Sequence, residues 1–126
     1  MYTVTVRNSI MIAHSLKGEI FGPAQQLHGA TYVVDAEFFA EELTGENIVI
    51  DIGYATVALK KVLSHLDYRN LDDMSEFQDK ITTTEFLANY IHRQLGAEVA
   101  KIFRGRLKVT LRESDRAWAS FEGPVE

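Results

Sequence analysis

Along the first forty residues polar and apolar side chains alternate: Val4 and Val6 stand between Thr3, Thr5 and Arg7, and the apolar run Ile10-Met11-Ile12-Ala13 leads to His14. A period of two marks a strand with one buried face, so a long first strand is expected here. Ser15 to Pro23 holds Gly18, Gly22 and Pro23 and reads as a loop. A second strand is expected from about Gly29 to Phe39, where Thr31-Tyr32-Val33-Val34 is β-branched and aromatic. Residues 41–47 read as a connection, and Ile48-Val49-Ile50 as the end of a returning strand.

From Tyr54 the period changes. Ala55, Leu59, Val62, Leu63 and Leu66 fall on one helical face while Lys60, Lys61 and Ser64 fall elsewhere, with Asp51 upstream as a candidate N-cap. Residues 70–80 are polar and acidic and read as a loop. Thr82 and Glu85 have capping-box spacing ahead of a second apolar stripe, Phe86, Leu87, Tyr90, Ile91 and Leu95, which is expected to stop at Gly96. Val99 to Phe103 reads as a strand, Arg104-Gly105-Arg106 as a turn, and Leu107 to Glu113 as the last strand. In that strand Leu107, Val109 and Leu111 share one face, and Lys108, Thr110 and Arg112 the other. This order predicts a single α+β domain over residues 1–126: an antiparallel four-stranded sheet with two helices packed on one face.

Composition narrows the function. With 46% hydrophobic residues, 126 residues are enough for one sizeable core. A net charge of -5 argues against nucleic acid and anionic membrane as partners, since both recruit clustered Lys and Arg. There is no cysteine, which removes disulfides, thiolate nucleophiles and thiolate metal ligands. No long apolar run opens the chain, so neither a signal peptide nor a membrane span is expected, and the cytoplasm is the expected compartment.

Glu113 keeps the parity of Leu107, Val109 and Leu111, which turns its carboxylate toward the apolar side at a strand end. An unpaired carboxylate there is costly, so it calls for an ion-pair partner or a ligand with paired donors. His14 closes the first strand and His28 opens the second, and antiparallel pairing brings them together as a candidate metal pair. Zinc needs three protein ligands and a water, or four; the position that would supply a third from the same face is Ala30. Without a third ligand the two are polar residues at strand ends. His65 suits a helix C-terminus, where a cation is favoured, and Asp67 beside Tyr68 is a candidate proton relay, although a free phenol is a weak base at neutral pH. His92 reads as a packing or surface residue, and Trp118 as an anchor for the C-terminal segment.

Six segments in order, Ile12-Ala13-His14-Ser15-Leu16, Leu27-His28-Gly29-Ala30-Thr31-Tyr32, Ile50-Asp51-Ile52-Gly53, Leu66-Asp67-Tyr68, Thr83-Thr84-Glu85 and Arg112-Glu113, span almost the whole chain. In them the chain resembles the 6-pyruvoyl-tetrahydropterin synthase and 6-carboxytetrahydropterin synthase family. The resemblance implies the tunnelling fold, in which subunit sheets join into an oligomeric barrel, typically a hexamer of two trimers, with pterin pockets between subunits. It also implies three histidines on a catalytic zinc, of which His14 and His28 are present and the third is Ala30. The family's upstream cysteine maps to Ala24 or a neighbour, and its Asp-His relay to Asp67 and Tyr68. The glutamate that grips the amino-pyrimidine edge of the pterin maps to Glu113, and the pocket segment to Thr83, Thr84 and Glu85.

The losses fall on metal and proton transfer, while the side that would grip a ligand is kept. Zinc there supplies several kcal/mol of transition-state stabilisation. Two histidines hold it weakly unless Glu19 or a carboxylate from a neighbouring subunit completes the set. Loss of the thiol and of the relay histidine each costs a further ~10²–10⁴-fold in proton transfer. Three functions are therefore expected, the first ahead: a homo-oligomer that binds a pterin-like heterocycle without the lyase chemistry; an active lyase on a dihydroneopterin triphosphate-like substrate with a rebuilt site; or a structural or regulatory oligomer.

Overall fold

The computed structural model describes all of residues 1–126. Its elements are β1 (Tyr2–His14), β2 (His28–Ala40), α1 (Ile52–Ser64), β3 (Arg69–Asn70), α2 (Thr84–Val99), β4 (Arg106–Arg112) and β5 (Trp118–Pro124). Three short 3-10 segments, Glu19–Gln25, Leu71–Asp73 and Ser75–Phe77, fill the connections. The strands form one sheet in the order β3-β1-β2-β4-β5. All neighbours are antiparallel except β3, which runs parallel to β1 over Ile12 and Ala13. No helix is long and apolar enough to cross a membrane.

The alternation does the folding work. Tyr32, Val34, Ala36 and Phe38 of β2 are each at most 1% exposed, and with Ile10, Ile12, Leu107, Val109 and Leu111 they make the face that both helices cover. From the helices come Leu59 and Leu63 of α1 and Leu87, Ile91 and Leu95 of α2. One face of the sheet is thus core and the other carries polar side chains, as an antiparallel sheet allows.

The sheet has five strands and is mixed, not four-stranded and antiparallel, and the differences have physical reasons. Ile48-Val49-Ile50 is not a strand: Val49 and Ile50 are buried from bends, so their hydrophobicity reports core contact alone. Nor is Val99 to Phe103. Gly96 lies inside α2, which continues to Val99, and Val99 follows Leu95 by one helical turn. The strand β5 was hidden by small and polar residues; its Ala119, Phe121 and Gly123 turn inward while Trp118, Ser120 and Glu122 are exposed. Trp118 is not an anchor in the core: it is 56% exposed on the open face, with the Arg112 guanidinium 4.9 Å above its ring. The loops expected at 15–23 and 70–80 hold the 3-10 segments, the first of which runs on to Gln25, and β3 leads into the second loop. The turn into β4 requires Gly105, because a Cβ there would stand 2.1 Å from the Phe39 carbonyl oxygen.

On the open face the carboxylate of Asp35 is 7% exposed and clamped between two arginines. Arg7 donates from Nε at 2.6 Å and Nη2 at 3.0 Å, and Arg112 donates from Nε at 3.0 Å. These donors, Arg7 first, hold the Asp35 carboxyl below the usual carboxylate range against the opposing effect of burial. A depressed carboxylate adds stability that is present above its unfolded pKa and lost as pH falls through its folded one. Asp35→Asn is therefore expected to cost about 1–3 kcal/mol in urea denaturation at pH 7, discounted for the exposure of both arginines. The gap between parent and variant should shrink as pH drops below about 4.

Candidate functional site

Antiparallel pairing of β1 with β2 sets His14 directly opposite His28, and their rings meet edge to face with centroids 4.7 Å apart. The His28 Nδ1 lies 2.8 Å from the carbonyl oxygen of Gln26, which only accepts, so Nδ1 bears a proton. His14 is 2% exposed, with Nδ1 3.0 Å from the Thr82 hydroxyl. Burial, and next the neighbouring His28, push the His14 pKa down, which leaves the imidazole neutral at pH 7.

Ala30 follows on the same face, opposite Ile12. No third histidine, cysteine or carboxylate joins the two imidazoles in a metal-binding group. Asp72 is taken up elsewhere: it accepts the Ser15 hydroxyl at 2.6 Å and the Ser15 backbone N–H at 3.2 Å, fixing the chain as it leaves β1. The donor set of one chain is thus one ligand short of a catalytic zinc site and does not fit that metal.

The same end of the sheet receives the start of α2. The helix is capped by Thr83, whose hydroxyl accepts the Phe86 N–H at 3.1 Å. The capping box expected from Thr82 does not form, because Thr82 is buried against His14. Thr84, the first helical residue, directs its hydroxyl to a Glu113 carboxylate oxygen at 3.5 Å. Glu113 lies one residue past β4 and is exposed, yet on the helix side, as its parity requires. It forms no ion pair within the chain.

Asp67 and Tyr68 occupy the return from α1 to the sheet. The Asp67 carboxylate accepts the Met11 N–H at 2.9 Å, and the Tyr68 N–H donates to the Met11 carbonyl at 2.7 Å. Tyr68 has a left-handed φ of 59°, which a bulky side chain rarely adopts, and these two bonds hold it there. Its phenol is in solvent, with the residue 81% exposed. The Ala24 carbonyl accepts the Leu16 N–H at 3.0 Å, and Glu19 is exposed at the start of its 3-10 segment.

The other histidines lie apart from this group. His65 caps the end of α1, as its sequence position suggested, and pairs with Glu76 at 2.5 Å; Glu76 also accepts the Tyr90 hydroxyl at 2.7 Å. His92 is 6% exposed, donates to the Gly123 carbonyl at 3.1 Å and packs edge-on against Phe121, the packing role of the two expected. The role of Thr82 escaped the sequence reading, which placed it in a helix cap, whereas it holds the His14 imidazole.

The profile of the 6-pyruvoyl tetrahydropterin synthase family matches residues 3–124. No curated protein matches the chain. Among solved structures, the chain is similar to 6-pyruvoyl tetrahydropterin synthase of Caenorhabditis elegans, with a TM-score of 0.84, 25% identity and coverage of 97% of this chain and 95% of that one. A catalytic-residue mutant of the Plasmodium vivax enzyme matches with a TM-score of 0.79, 20% identity and 98% of both chains. An uncharacterized protein of Wolinella succinogenes matches with a TM-score of 0.73, 13% identity, and 95% and 97% coverage.

If the metal site is short of one imidazole, restoring it should restore the metal. Ala30→His is expected to carry about one zinc per chain after dialysis, by elemental analysis, where the parent is substoichiometric. A parent that retains one tightly held zinc per chain would show that a ligand outside this donor set completes the site.

Proposed function

Since this chain belongs to the 6-pyruvoyl tetrahydropterin synthase family, we propose that it binds a pterin or a similar planar heterocycle through Glu113, with Thr83 and Thr84 beside it, and has lost the standard lyase reaction. The observation that carries this reading is the state of Glu113: a carboxylate at the end of the core strand β4, with no cation paired to it and only the Thr84 hydroxyl, 3.5 Å away, as a side-chain partner. An ionised carboxylate with free lone pairs accepts two parallel N–H donors, and an amino-pyrimidine edge supplies that pair.

In the family such a pocket is closed by a neighbouring subunit. A homo-oligomeric ring, with a hexamer as the first expectation, accounts for a gripping carboxylate that stands in the open in one chain. The losses of chemistry also support a binding role. A zinc held by two imidazoles is weak, and no thiol exists anywhere in the chain. Less supports a rebuilt enzyme, because the Asp67 carboxylate is engaged by Met11 and the Tyr68 phenol lies in solvent.

Fluorescence titration with neopterin or biopterin tests the reading. Saturable binding by the parent and a loss of at least about tenfold in Glu113→Ala are expected, the magnitude of a charge-assisted hydrogen-bond pair. An Ala variant that binds as tightly as the parent would show that Glu113 does not grip the ligand.

A further inference from the structure

We infer that Trp118 is a positioning residue for the ligand-gripping carboxylate of Glu113, acting through Arg112. This rests on the binding role of Glu113 proposed above and concerns what aims it. Arg112 is the last residue of β4 held by strands on both sides, opposite Val33 of β2 and opposite Trp118 of β5. Beyond that row the two ladders end. The Glu113 N–H donates to the Ala117 carbonyl at 3.1 Å, and the Ser114 N–H shares the same oxygen at 3.3 Å. Glu113 therefore opens a tight turn whose base is the Arg112–Trp118 pair. Its carboxylate has only the long contact to Thr84, at 3.5 Å, to fix it from the front.

Strand alternation puts Arg112 and Trp118 on the open face of the sheet and Glu113 on the helix face. On the open face Arg112 is held at two points. Its Nε donates to the buried Asp35 carboxylate at 3.0 Å, and its guanidinium lies 4.9 Å above the Trp118 ring. Asp35 is itself fixed by the two bonds from Arg7. An indole is the best aromatic partner for a guanidinium, and a planar cation sandwiched between ring and carboxylate has little freedom left. Core packing does not account for this tryptophan, which is 56% exposed; the stack on Arg112 does. Side-chain pairs directly across two strands hold a ladder closed, and this pair closes the last row before Glu113. If the row frays, the turn swings and the carboxylate moves relative to Thr84. A grip on two parallel donors is sensitive to such a change of aim.

The test is neopterin titration of the assembled protein, with melting curves and size exclusion on every variant. Trp118→Leu keeps bulk and removes the aromatic face, Trp118→Tyr keeps a face, and Arg112→Lys keeps a cation for Asp35 but loses the planar stack. Trp118→Leu and Arg112→Lys should each weaken binding by about three- to fivefold, the double variant no more than the weaker of the two, and Trp118→Tyr should bind like the parent. A merely structural tryptophan would lower stability and leave the choice of ligand alone. The preference for neopterin over the matching lumazine, which carries an oxo group in place of the ring amino group, should therefore shrink in Trp118→Leu. Glu122→Gln loosens the Arg106–Glu122 pair at the far end of the same two strands and should leave binding unchanged. If Trp118→Leu binds and selects like the parent, if its loss multiplies with that of Arg112→Lys, or if Glu122→Gln costs as much, Trp118 does not aim Glu113. A loss that comes only with a change in assembled size overturns the inference too. If Trp118→Leu fails to fold, Arg112→Lys decides, and parental affinity in that variant is the contrary result. Glu113→Ala separates the two levels: unchanged binding there removes the gripping role and the positioning role together, whereas loss there with none in Trp118→Leu removes the positioning role alone.

Discussion

The attachment of α2 to the end of the sheet is the constraint on which the site depends. Three consecutive threonines make it, each by a different bond. Thr82 turns inward to the His14 imidazole, Thr83 caps the helix, and Thr84 turns out to Glu113. A buried hydroxyl beside a buried imidazole satisfies two groups that would each be costly alone. With the helix start pinned there, the ends of β1, β2 and β4 converge around it, and the two histidines and Glu113 come to share one corner.

The strong periodicities in the sequence were reliable for the elements that build the core. β1, β2, β4, α1 and the body of α2 are each visible as an apolar stripe of one period, because in this fold one face of each is buried. Short elements were not visible. β3 is two residues long and is held by Asp67 and by the left-handed turn at Tyr68, neither of which leaves a hydropathy pattern. β5 alternates in size more than in polarity, so Ala119 and Gly123 gave no signal. The apolar spacing of Leu95 and Val99 fits a helix turn, and the helix prevailed through Gly96 since a glycine costs it only about 1 kcal/mol.

The site divides in the same way. The pairing of His14 with His28 followed from strand parity, and so did the side on which Glu113 stands. The job of each threonine did not follow. Thr82 and Thr83 exchange roles relative to the capping pattern, because burial against His14 outweighs a cap that Thr83 supplies equally well. On the proposed reading Ala30 stands where a third ligand would, and there it leaves the register of β1 with β2 unbroken, Ala30 opposite Ile12 and His28 opposite His14. Loss of zinc chemistry and retention of a binding corner are therefore structurally compatible.

The central claim is that Glu113 recognises paired donors on a heterocycle, and changing the ligand tests it without touching the protein. A pterin should bind the assembled protein about 10- to 100-fold more tightly than the matching lumazine, in which an oxo group replaces the ring amino group and turns a donor toward Glu113 into an acceptor. Equal affinity for the two would contradict the account, because a carboxylate that grips that edge cannot be indifferent to the exchange.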